Sequence, residues 1–323
     1  MNTPGLRVIQ PGPLTSVQDL GRRGVLHLGL TSAGPLDGES FAWANRLCGN
    51  PANAPALEIA LGGLVLEALA PLLATLTGPA APLAVNGQPA PPWQGLRLAA
   101  GDRLSLGPTP RGGPLYLAVR GGFAVATPFG SAATVAREGL GGIAGRPLAR
   151  GDLLPVNPLP GPARRFALPA PLRPAYPEGG DDICALRVIP AGQPGDLPRH
   201  LRRRFFDTVY HLSRQCDRMG YRLAGAALDV PPLALLSEAV VPGTIQLPPD
   251  GQPIVLMRDH QTLGGYPRLG TLLSLDLDRL ARLAPGDALR FVPITPGAAQ
   301  RALRAARRRY LASCPVALDG EPL

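Results

Sequence analysis

The stretch PVNPLPGPARRFALPAPLRPAYPEGG, residues 155–180, decides the fold. Proline fixes φ and has no N–H to donate, so a stretch this rich in it forms neither a regular helix nor a central strand. It reads as a linker, 157–182. That leaves an N-terminal domain, 1–156, a second domain, 183–295, and an Arg-rich helix and tail, 296–323. A length of 323 residues agrees with two domains at roughly 150 residues each.

Both flanks are β-like. Gly and Pro, 40 of each, make up about a quarter of the chain, too many for a helical bundle and without the period of collagen. Short strands are expected over Leu6–Gln10, Leu72–Thr77, Leu115–Arg120, Ala185–Ile189, Gly243–Leu247, Ile254–Met257 and Leu289–Pro293. Helices are few. One is capped by Asp37 and runs to Cys48. One starts at about Asp276, also a candidate N-cap, and a third covers Pro296–Ala312. A fourth holds Arg199, Arg202, Arg203 and Arg204 opposite Leu201, Phe205 and Val209. Gly-Asp recurs before strand-like residues at 101–102, 151–152 and 286–287. There Gly supplies the turn and Asp is expected to bond the backbone two residues on. The expected class is mainly β: a β-rich α+β protein of two barrel-like domains with a few short helices.

Composition excludes several chemistries. All 32 basic residues are Arg, and the chain has no Lys. A phosphate-binding P-loop needs a Lys, and so do a covalently carried biotin and Schiff-base chemistry. Net charge is +9, but no nucleic-acid motif accompanies it. Cys48, Cys184, Cys216 and Cys314 are scattered, and no His pair has ligand spacing, so no metal site is expected. The apolar stretch over 59–85 is broken by Gly and Pro and does not span a membrane. A soluble cytoplasmic protein with reduced thiols is the expectation.

Three segments are too polar for a core. Thr15–Asp37 places Gln18, Asp19, Ser32 and Asp37 in a Gly-rich loop that feeds a helix N-terminus, a setting suited to an anion. Asp217–Leu223, DRMGYRL, sets Arg218 and Tyr221 around a turn. Arg258–Pro267, RDHQTLGGYP, follows an apolar strand with five hydrogen-bonding side chains in a row. In it, Asp259 and His260 are the candidates for proton transfer. Gln261, Thr262 and the Gly264–Gly265 backbone would orient a planar group. Arg258 or Arg218 would meet a carboxylate or phosphate, and Tyr266 and Tyr221 would line the pocket.

These motifs stand in order with PGPLTSVQDLGRRG (11–24), YLAVRGGF (116–123), GLGG (139–142) and SEAVVPGTIQLPPDGQPIVL (237–256). Together they resemble the family of the C-type subunit of 5-oxoprolinase, over Leu6 to Val292. That family includes the second allophanate-hydrolase-type domain, the carboxyltransferase part of urea amidolyase and the sporulation regulator KipA. The resemblance implies two cyclophilin-like β-barrels. It also implies a hydrolase component that opens 5-oxo-L-proline to L-glutamate together with an A-type subunit and a KipI-like, B-type subunit. ATP would be used by the complex and not through a P-loop here, with no covalent biotin on this chain. The alternatives are a carboxyltransferase acting on a urea-like substrate with carboxybiotin, and a non-catalytic KipA-like regulator. The chain departs from the family pattern at Thr262-Leu263, at Ala191–Pro194 and at Gly130–Ala133.

Overall fold

The computed structural model describes residues 3–180, 182–191, 198–230 and 236–319. Gly192–Pro194, part of one departure above, lies outside them. The chain forms two compact units. The first contains residues 1–23, 33–176 and 313–323; the second contains 24–32 and 177–312.

The first unit is two antiparallel sheets around one core. One sheet has the order Leu153–Val156, Thr3–Pro11, Leu64–Ala68, Arg103–Leu106, Leu83–Val85, Gln88–Pro89. The other runs Ser16–Gln18, Ala56–Ile59, Leu115–Val119, Leu72–Thr77, Gly95–Leu98. Leu6, Leu66 and Leu154 from the first sheet and Leu57, Leu76 and Leu117 from the second share one buried cluster. Helix α1, Gly38–Leu47, is capped as expected, with Ser40 N–H donating to Asp37. It packs Phe41 and Ala44 on Tyr116 and Ala118.

The proline-rich stretch has structure of its own within this unit. Phe166 and Leu168 are buried. Phe166–Ala167 pairs with Val316–Ala317, which follows the last helix. Asp319 then accepts from the Arg165 backbone and guanidinium, both at 2.9 Å.

The second unit is a closed barrel of seven strands: Cys184–Pro190, Arg268–Leu272, Thr244–Gln246, Ile254–Leu256, Gly220–Ala224, Val209–Cys216 and Ala288–Pro293. Neighbours are antiparallel except where the last strand meets the first, in parallel. Alternate residues such as Leu186, Val188, Leu223, Ile245 and Val255 turn inward and are buried. Helix α2, Arg199–Asp207, buries Leu201 and Phe205. The Phe205 ring stacks on Phe291 at 4.7 Å. Helices α3, Ser274–Ala281, and α4, Pro296–Ala312, complete the unit.

Three expectations are corrected. Val209 does not extend the apolar face of α2. Thr208 is extended, the helix ends, and Val209 opens a strand with its side chain exposed. Asp276 does not cap α3 but lies in its first turn, fully buried. Its carboxylate takes the Arg187 fork at 2.7 and 2.9 Å and the Arg187 backbone N–H at 2.6 Å. A buried carboxylate needs such partners. The Gly-Asp turns are also built differently. In each, the Asp carboxylate accepts the N–H of the Ala three residues earlier: Ala99 at 2.7, Ala149 at 2.7 and Ala284 at 2.8 Å.

Candidate functional site

The two polar motifs of the second unit lock together. Asp217 accepts the N–H groups of Met219 and Gly220, closing the turn between strands Val209–Cys216 and Gly220–Ala224. This aims Arg218 at the loop that follows strand Ile254–Leu256. Asp259 N–H donates to the Arg218 carbonyl at 2.7 Å. The Arg218 guanidinium grips both Asp259 oxygens, at 2.8 and 2.7 Å. Such a bidentate fork fixes orientation as well as charge. Arg258 points instead at α3 and meets Asp278 at 3.3 Å. Both arginines nominated for an anion therefore engage carboxylates of this chain.

His260 is fully buried. Its Nδ1 lies 2.5 Å from the carbonyl oxygen of Gln261. A carbonyl only accepts, so Nδ1 carries the proton, and in the neutral ring Nε2 bears the lone pair of a base. The Thr31 hydroxyl donates to the His260 carbonyl at 3.4 Å, which joins the segment 24–32 to this loop; Ser32 is the next residue and half-buried. Tyr221 is buried and Tyr266 half-exposed.

Beyond His260 the loop forms one side of a two-stranded sheet, Leu263–Gly264 against Glu238–Ala239. Thr262 gives its carbonyl to Val240 N–H at 3.2 Å. A Cβ at Gly264 would lie 2.1 Å from Nε2 of Gln246. Gln261 donates from Nε2 to Oε1 of Gln246 at 3.4 Å. Beside these groups lies a shallow, solvent-open depression lined by Leu236, Glu238, Val240, Gln246, Gly264, Tyr266, Pro267 and Arg268; of the residues expected from the sequence, only Gly264 and Tyr266 line it. Glu238 and Arg268 form a 3.2 Å ion pair at its rim. Both are partly exposed, so the pair is worth only ~0.2–1 kcal/mol.

The remaining nominated residues belong to the first unit, where each has internal partners. Gln18 donates to Ser16 and the Thr134 carbonyl. Asp19 accepts from Ser131 Oγ at 2.5 Å, Ala132 N–H at 2.7 Å and Gly21 N–H at 2.9 Å. Asp37 accepts from Ser40 and from the Tyr176 hydroxyl. Asp19 and Arg22, whose Nη2 reaches the Ala133 carbonyl at 2.6 Å, thus hold the Gly130–Ala133 stretch where the family pattern is broken.

Reading the residues missed Gln246, Glu238 and Arg268. The available signal was Gln246, an amide between Ile245 and Leu247 in an apolar strand. Among the described residues no three His, Cys, Asp or Glu side chains gather as metal ligands, and no helix is long and apolar enough to cross a membrane.

A β-rich protein with a closed barrel and a small polar pocket beside a Gly-Gly bend defines a class that comparison makes specific. The family model "Carboxyltransferase domain, subdomain A and B" matches residues 28–293, and the chain belongs to that family. It is 37% identical to the C-type subunit of 5-oxoprolinase from Escherichia coli over 311 residues, 94% of this chain and 96% of that one. The crystal structure of TTHA0988 superposes with a TM-score of 0.80 at 36% identity, over 90% of this chain and 56% of the other. The Kluyveromyces lactis urea carboxylase structure gives a TM-score of 0.86 at 28% identity, over 95% of this chain and 29% of that one. This chain therefore spans nearly all of one relative, about half of the second and under a third of the third.

Proposed function

We propose that this chain is the C-type subunit of an ATP-dependent 5-oxoprolinase complex. It helps hydrolyse 5-oxo-L-proline to L-glutamate with an A-type partner and a KipI-like, B-type partner. The supporting observation is the end-to-end relation to a protein named for that role, 94% of one chain against 96% of the other. In the reaction, water adds across the lactam. A C–O bond forms at the carbonyl carbon, the ring C–N bond breaks, and a proton goes to the departing nitrogen. Amide resonance opposes this. ATP bound to the complex supplies the activation, and no residue of this chain is assigned to it.

What this chain contributes is orientation and proton transfer. Arg218 holds Asp259, which fixes the start of the loop. With both its oxygens occupied, Asp259 acts by positioning; His260, buried and outside the lining of the depression, is the proton-transfer candidate and would act once the bound complex opens a path to its Nε2. The planar amide of Gln246, which lines the depression and is held by Gln261, offers a hydrogen bond to a lactam edge. The test is reconstitution: the complex is expected to release glutamate, and this chain alone to release none.

The likeness to a urea carboxylase favours one second reading, carboxyl transfer to a urea-like substrate from carboxybiotin. Lacking Lys, this chain would depend on another chain to carry biotin. ATP-independent carboxylation of urea by this chain with a loaded biotin carrier would support it.

A further inference from the structure

Gln246 is 2% exposed, lines the depression, and receives the Gln261 amide at its Oε1. Oε1 faces the donor of Gln261, so Nε2 faces Gly264, where an added Cβ would push the amide aside. No acceptor among the described residues takes the Nε2 hydrogens, and the atom is not sealed from solvent, so water or a ligand can accept from it. Across the strand pair Gln246 stands opposite Arg268. Directly opposed residues point to the same face, so the amide and the guanidinium share the pocket. The Arg268 partner, Glu238, is 55% exposed and readily exchanged for another carboxylate.

We propose that this pocket binds a small molecule carrying a carbonyl acceptor and a carboxylate on one compact frame. Gln246 donates to the carbonyl, and Arg268 leaves Glu238 for the ligand carboxylate. The assignment rests on the oxoprolinase reading for its probe, because 5-oxo-L-proline carries both groups.

The test titrates the full-length chain with 5-oxo-L-proline and with 2-pyrrolidinone, the same lactam without the carboxylate, followed by NMR. Arg268→Gln is expected to weaken 5-oxo-L-proline at least tenfold and to leave 2-pyrrolidinone unchanged. Gly264→Ala and Gln246→Leu are expected to weaken both at least tenfold. Glu238→Gln, which removes the competing carboxylate, is expected to tighten 5-oxo-L-proline several-fold. Thermal melts check folding, and the exposed Glu238 and Arg268 variants carry the test if Gln246→Leu does not fold. Absence of binding to the wild-type chain overturns the proposal, as does equal affinity of 5-oxo-L-proline for wild type, Arg268→Gln and Glu238→Gln. The two levels separate cleanly. A complex that turns over with unchanged KM in Arg268→Gln and Gln246→Leu removes the pocket assignment and leaves the function. Lactam binding with the predicted pattern, but no turnover in any reconstitution, does the reverse.

Discussion

His260 and Asp259 show how neighbours in sequence take different roles. The arginine fork occupies both oxygens of Asp259, while the ring of His260 meets the Gln261 carbonyl at Nδ1. In the reconstituted complex, His260→Ala is expected to lower kcat by ~10²–10⁴, the usual contribution of a general acid–base group. Asp259→Asn is expected to lower kcat as well, since it weakens the grip of Arg218 on the loop. Glutamate release under saturating substrate measures both, and full activity in both variants places the chemistry elsewhere. A separate residue-scale expectation concerns Cys48. Burial pushes its thiol up to about 12, against smaller opposing effects of Thr75 and Arg120. At pH 8 iodoacetamide should modify exposed Cys314 and spare Cys48 in the native protein, as read by peptide mass spectrometry. Labelling of Cys48 at the rate of Cys314 would contradict that burial. The polar run Arg258–Thr262 was legible because no core needs five hydrogen-bonding side chains after an apolar strand. Gln246 was not, because its role comes from a glycine 18 residues later being folded over it.

At the scale of the element, the Ala-x-Gly-Asp turn is the repeated device. Gly101, Gly151 and Gly286 all have positive φ, at 87, 89 and 96°. That is the third position of a type II turn, which Gly fills without strain. In all three the Gly N–H and the Asp carbonyl exchange hydrogen bonds with one residue of a neighbouring strand: Ala68, Val8 and Leu212. The Gly-Asp pair was visible in the sequence. The strand partner was not, because it is distant in the chain. Asp152 is held below the ordinary carboxylate range by the hydrogen bonds from Arg146, and Asp102 by the side chain of Asn86. A depressed folded-state pKa stabilises above the unfolded value of ~3.9, and the benefit disappears as pH falls through the folded value. Asp152→Asn is expected to lower Tm by roughly 3–6 °C at pH 7, from ~1–2 kcal/mol of charge-assisted bonding. It should also lose less stability than wild type between about pH 4 and pH 2. Melting curves across that range test both, and parallel acid loss in the two proteins would contradict the assignment. The misplaced start of α3 has the same origin as the unseen strand partners. Asp276 has the composition of a cap, but Arg187, 89 residues away, claims it.

At the scale of the whole molecule, the β-rich class and four of the seven barrel strands were legible. Every strand expected from the sequence lies on an observed one, within a residue or so at each end except Leu6–Gln10, which sits inside the longer Thr3–Pro11. Val209–Cys216, Gly220–Ala224 and Arg268–Leu272 were not expected, because their polar residues mask the alternation. The path of the chain was not legible either. Residues 24–32 join the second unit and 313–323 return to the first, and local periodicity carries no record of such excursions. Membership of the carboxyltransferase-domain family accounts for the architecture, and the 5-oxoprolinase reading then makes the chain one part of an assembly. The most direct measurement is ATP-dependent formation of L-glutamate from 5-oxo-L-proline by this chain alone, by its A- and B-type partners alone, and by all three together. The account predicts glutamate only from the three together. Glutamate from the single chain, or none from the full set while carboxybiotin and urea yield a carboxylated product, would contradict it.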